Sequence, residues 1–140
     1  MRMRLGPLIL SLTISASAAA HELLSARDFI HWCAHDRERC EGYARATIDW
    51  YVSEIGKPGR EFWPFCLREG DDPTKTLIGL VQWFFPARRA SDPNADWETM
   101  LDWPLGNVAV SILPSAYPCA DFDYPPEFAD FAAGWMGYDD

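Results

Sequence analysis

The sequence predicts an all-α fold, a compact bundle of four to five short helices stapled by two disulfides. Three observations carry that expectation. Apolar residues recur at spacings of three and four in successive windows, each bounded by a polar cap, a glycine or a proline. No internal repeat and no hairpin signal interrupts them. Four cysteines, Cys33, Cys40, Cys66 and Cys119, form an even set available for pairing.

The chain opens with "MRMRLGPLILSLTISASAAA", in which Arg2 and Arg4 precede an apolar run from Leu5 to Ile14 and small residues close at Ala20. This is the pattern of a secretory signal peptide over residues 1–20. The run is shorter than the roughly 20 residues a bilayer span requires. Cleavage after Ala20 leaves His21 as the mature start, a helical domain over 21–120, an acidic aromatic extension over 121–140, and a protein with no membrane segment of its own. Losing Arg2 and Arg4 takes the formal charge from -9 to -11. Such a balance argues against nucleic acid or an anionic membrane and suits solubility or a basic protein partner.

Ser25 is placed to cap a first helix, with Asp28 three residues on and Phe29, Ile30, Trp32 and Cys33 as its apolar members, ending in the polar stretch "AHDRER". The spacing of Cys40, Tyr43, Ala44, Thr47, Ile48, Tyr51 and Ile55 predicts a second helix, stopped by Gly56 and Pro58. Gly42 there reads as a point of close helix approach. "KPGREFWPFCLREGDD" is a loop, but one carrying Phe62, Trp63 and Phe65 around Cys66, so it is expected to pack on the domain.

Asp72-Pro73 supplies an N-cap and a proline at the first position of a third helix, whose face is Leu77, Ile78, Val81, Phe84 and Phe85 and which Pro86 is expected to end. Asp92-Pro93 repeats that start signal for a fourth helix through Trp97, Met100 and Leu101 to Pro104. Leu105, Val108, Ala109, Ile112 and Leu113 mark a last core helix before Pro114 and Pro118. Beyond Cys119, residues 121–140 hold six acidic residues and no basic one. Phe128, Phe131 and Trp135 in that tail are candidates to dock on the body or to bind something.

"HWCAHDRERC" has the outline of a zinc site, H-x-C-x-H-x4-C. On a helix, however, His31 and His35 share a face while Cys33 points to the other side. In an exported chain four cysteines favour disulfides over metal ligands. Of the three possible pairings, closure distance favours Cys33 with Cys40 across the short polar loop, leaving Cys66 with Cys119. An N-terminal His21 offers a copper chelate with His31 or His35, although the copper enzymes that use such a brace are β-sandwiches.

No G-x-S-x-G elbow surrounds any serine. The carboxylates Asp71, Asp72, Asp121, Asp123, Asp139 and Asp140 have no partner motif for acid–base work. The expectation is a protein that is not an enzyme and needs no metal or cofactor.

Taken in order, the Cys-containing first helix, "CEGYARATIDWY", "FCL", "DPTKTLIGLVQWFF" and "PLGNVAVSILPSAYPCA" resemble the Rap/Tai family over residues 25–120. These are small periplasmic immunity proteins against type VI secretion peptidoglycan amidases. The chain departs from the family pattern at Ala44-Arg45-Ala46, at Arg68, and in its tail. The resemblance implies a helical, disulfide-bonded, often homodimeric protein that plugs an amidase cleft. The loop "ARRASDPNAD", with Arg88, Arg89, Asp92, Asn94 and Asp96, is then the expected contact surface, and the acidic tail a second one. A periplasmic acid-stress chaperone is the alternative of another class.

Overall fold

The computed structural model describes residues 24–59 and 62–137. The signal segment and His21 lie outside them. The described residues form six helices: α1 (Ala26–His35), α2 (Arg37–Glu54), α3 (Pro73–Ser91), α4 (Trp97–Leu101), α5 (Leu105–Ala116) and α6 (Glu127–Met136). No strand is present among them, apart from a single bridge between Ser25 and Pro104 that ties the start of α1 to the start of α5.

Helix α5 is the centre of the bundle. Nine of its twelve residues are buried, and Leu105, Val108, Ala109, Ile112 and Leu113 are fully so. A helix apolar on nearly every side has to be covered on every side, and α5 touches α1, α2, α3 and α6. Each fully buried Leu, Ile or Val contributes about 1.5–3 kcal/mol. Ser111 and Ser115 interrupt the apolar surface cheaply, because their hydroxyls donate to the Asn107 and Ser111 carbonyls. Where α5 crosses α2 the approach is close: a Cβ on Gly106 would lie 2.9 Å from the Trp50 ring. Gly42, by contrast, faces open space, so the close-approach glycine is Gly106.

The other helices begin as their caps dictate. Ser25 Oγ accepts from the Asp28 amide, Asp36 from the Arg39 amide and Asp72 from the Thr74 amide. Three expectations need correction. Pro86 does not end α3, which runs on to Ser91. Proline removes the donor for the Gln82 carbonyl, but Pro86 is exposed and the following turn is anchored by the buried Arg88. Likewise Pro114 sits inside α5 rather than ending it. The Asp92-Pro93 signal starts no helix: Asp92 closes α3 with its amide on the Arg88 carbonyl, and α4 begins five residues later, at Trp97, behind its own cap, Asp96.

The sulfurs are joined as Cys33–Cys40 and Cys66–Cys119, at 2.06 and 2.00 Å. The first bond locks α1 to the start of α2. The second fixes the 62–68 loop to the end of α5, beside a backbone bond from the Cys66 amide to the Tyr117 carbonyl of 2.8 Å. That loop is held on both sides by tyrosines. On one side the Tyr51 hydroxyl donates to the Trp63 carbonyl, and its ring stacks on Phe65 with centroids 5.1 Å apart. On the other, the Tyr124 hydroxyl accepts from the Cys119 amide and donates to the Pro64 carbonyl. Tyr124 in turn stacks on Phe128 at 4.1 Å, and Trp63 meets Phe128 and Phe131 edge-on. The aromatic tail is therefore docked on the body as α6.

Two outcomes follow for stability. The chain-entropy model assigns about 4 kcal/mol to closing the 53-residue separation of Cys66 and Cys119. It assigns about 2 kcal/mol to the 7-residue separation of Cys33 and Cys40. Urea unfolding of the two paired Cys→Ala variants should rank them in that order. Burial, with a smaller contribution from Tyr124, raises the Tyr51 hydroxyl well above the usual tyrosine range. In the unfolded chain it titrates near pH 10. Stability should thus be full below about pH 10 and fall as pH rises toward the folded value. Tyr51→Phe should flatten that decline in an alkaline unfolding series.

Candidate partner-binding face

The end of α3, the 92–96 loop and α4 turn one face of the bundle into a relief of three adjoining shallow depressions. The first, about 200 Å³, is lined by Arg27, Ile30, Gln82, Phe85, Pro86, Arg89 and Leu101. The second, about 320 Å³, lies among Arg89, Pro93, Ala95, Asp96, Trp97 and Glu98. The third, about 290 Å³, lies between α4 and α6 and is walled by Trp97, Met100, Asp130, Phe131, Gly134 and Trp135. Arg89 divides the first from the second, and Trp97 the second from the third.

Local chemistry sets this relief. In the loop, the Trp97 indole N–H donates to the Asp92 carbonyl at 2.9 Å, which fixes the ring as a buried wall against Phe84. Asp96 accepts from both the amide and the hydroxyl of Thr99. The Thr99 hydroxyl first, and then its amide, hold the Asp96 carboxyl below its ordinary value, so Asp96 is a fixed negative charge on the surface. The dividing ridge is ionic. Arg27 on α1 donates to Asp102 and Glu98, each at 2.9 Å, and Arg89 donates to the same Glu98. Hydrogen bonds to Asp102 and then to Glu98 keep the Arg27 guanidinium charged above its ordinary range. These groups are about half exposed or more; their pairing shapes the surface rather than stabilising the fold.

The five loop residues singled out from sequence divide. Arg89, Asn94 and Asp96 are exposed, and Arg89 and Asp96 line the depressions. Asp92 is half-buried and spends its backbone on capping α3 and holding Trp97.

Arg88 does not belong to the surface. It is buried, donates to Ser91 Oγ and the Gly134 carbonyl, and lies over the Trp97 ring 5.0 Å from its centroid. A guanidinium beside the last turn of α6 meets the negative end of the helix dipole, so Arg88 pins the tail helix. Its Nε finds no acceptor among the described residues. Helix length explains the misplacement: since α3 continues past Pro86, position 88 falls on the same inward stripe as Val81, Phe84 and Phe85.

Arg27, Glu98 and Asp102 were not foreseen, whereas the α6 wall carries Phe131 and Trp135, two of the tail aromatics singled out from sequence. The ion pairs join residues 71 and 75 apart, and no local pattern announces them.

The H-x-C-x-H-x4-C stretch is the disulfide-closed turn between α1 and α2. Its two sulfurs are bonded to each other. His31 and His35 remain as an exposed pair with ring centroids 4.5 Å apart, and no group of three metal-ligating side chains occurs among the described residues. Comparison of the chain with protein-family models, with curated proteins and with solved structures gives no match.

The Arg88 clamp has a checkable counterpart. Gly137 closes α6 at φ 78°, and a Cβ there would overlap the Arg88 guanidinium. Gly137→Ala should cost at least about 1–2 kcal/mol in urea unfolding, the minimum being the left-handed backbone penalty. Part of the loss should disappear in an Arg88→Met background, because residues in contact do not behave additively.

Proposed function

We propose that the chain is an exported, periplasmic immunity-type protein that binds a type VI secretion peptidoglycan amidase and blocks its cleft. The observation that carries the reading is the face just described. Three contiguous shallow depressions are built on rigid elements, with the end of α3 and the 92–96 loop at their middle and a charged ridge between them. Such relief suits a protein surface better than a small molecule, whose pockets enclose most of the ligand. The ordered likeness of residues 25–120 to the Rap/Tai family supplies the class of partner.

Two further facts agree with the setting. Both disulfides, with no free cysteine among the described residues, suit an oxidising compartment such as the periplasm. No described helix is long and apolar enough to cross a membrane.

Inhibition would be steric. An acidic, preorganised face seated over the cleft keeps peptidoglycan strands out, and it needs no reacting group of its own. Rigidity favours affinity, since little loop ordering is left to be done on binding.

The test is capture of a small cysteine-hydrolase amidase encoded beside this gene, by co-purification and by titration of peptidoglycan hydrolysis. The expected result is stoichiometric inhibition with nanomolar affinity, weakened about tenfold or more by Arg89→Glu or Asp96→Arg. These exposed positions leave the core intact. Absence of binding to such an amidase, or undiminished inhibition by both variants, would overturn the reading.

A further inference from the structure

Resting on the reading that this face meets a protein, we infer that the depressions flanking Trp97 take a basic segment of that partner. One Lys or Arg side chain is seated between α4 and α6, against the aromatic wall and beside Asp130.

Charge points that way. Among the described residues, Asp130 is the only charged side chain lining the α4–α6 depression. Residues 121–137 carry Asp121, Asp123, Glu127 and Asp130 and no lysine or arginine. On the far side of Trp97 stand Asp96 and Glu98, and Arg89 there is already bonded to Glu98. A cationic strip laid across Trp97 therefore meets a carboxylate on each side.

The walls agree with the charge. Trp97, Trp135, Phe131 and Met100 supply aromatic rings and a thioether, side chains of the kind that hold an ammonium or guanidinium through aromatic quadrupoles. The molecule already uses this corner for a cation, because Arg88 lies over the Trp97 ring and donates to Gly134, a residue of the same depression. The Arg88 charge opposes a second cation, but its guanidinium is engaged by Ser91 and the Gly134 carbonyl, and two exposed carboxylates, Asp96 and Asp130, stand where a guest approaches. A volume of about 290 Å³ accommodates one long side chain, below the range of about 300–1,000 Å³ of dedicated small-molecule sites.

Hexa-arginine amide, with hexaglutamate as control, tests the seat on the full mature chain. The indole N–H signals of Trp97 and Trp135 should shift saturably with hexa-arginine and not with hexaglutamate. Asp130→Asn should weaken binding about threefold or more, and Asp130→Lys should abolish the shifts. Asp49→Asn, an exposed change on α2, removes the same unit of charge elsewhere and should leave the shifts in place.

The inference is overturned if Asp130→Lys binds as the wild type does, or if Asp130→Asn loses no more than Asp49→Asn. It is also overturned if a captured amidase is inhibited equally by the wild type and Asp130→Lys. Failure to capture any amidase, with the peptide still seated, counts against the immunity reading and leaves the seat standing.

Discussion

The structure depends on covering α5. Its apolar residues do not confine themselves to one stripe, so no single partner helix can shield it. Helices α1, α2 and α3 cover part of the surface, and α6 covers more. This explains why the C-terminal aromatics are docked: Phe128 and Met136 are buried, and α6 packs closely on α5. A tail of such composition, left in water, would expose a large apolar area at its own cost and at that of α5.

The same requirement gives the long 55–72 connection its form. A connection of this length with no helix among its described residues is uncommon in a small domain, and here every anchor is specific. The Cys66–Cys119 bond, the Tyr51 and Tyr124 hydroxyls and the edge-on rings around Trp63 fasten it between α2 and α6. The loop thus acts as a wedge linking the second helix to the tail. The fold is stapled twice by sulfur and twice by tyrosine.

Much of this was legible because it is local. Caps at Ser25 and Asp72, the stripe from Cys40 to Tyr51 and the alternation of polar loops with apolar windows are set by neighbours three or four residues away, and they place the first three helices and the core face of α5. The disulfide pairing followed from closure distance. The errors at the helix ends have one cause. A proline removes one hydrogen bond, a local loss, whereas Phe85 and Arg88 inside and Pro114 within α5 gain contacts with residues distant in sequence. Tertiary packing outweighed a breaker that in isolation would end the helix. The ionic ridge was illegible for the same reason, since Arg27 and Glu98 meet only once α1 and α4 are in place.

The continuation of α3 past Pro86 also accounts for the face. Had the helix stopped at Pro86, Arg88 would be a loop residue and the last turn of α6 would have no guanidinium beside it. Because it continues, Arg88 turns inward to hold Gly134, and Arg89, one residue on, turns outward to Glu98. Two adjacent arginines therefore do opposite work, one fastening the tail that forms a wall of the third depression, the other forming the ridge between the first two. Trp97 is the common element: its indole binds the loop, one face receives Arg88, and its surface borders two depressions. A contact surface built around so constrained a residue is preorganised by the core beneath it, and its shape is inherited from the packing of α5 rather than from the loop alone.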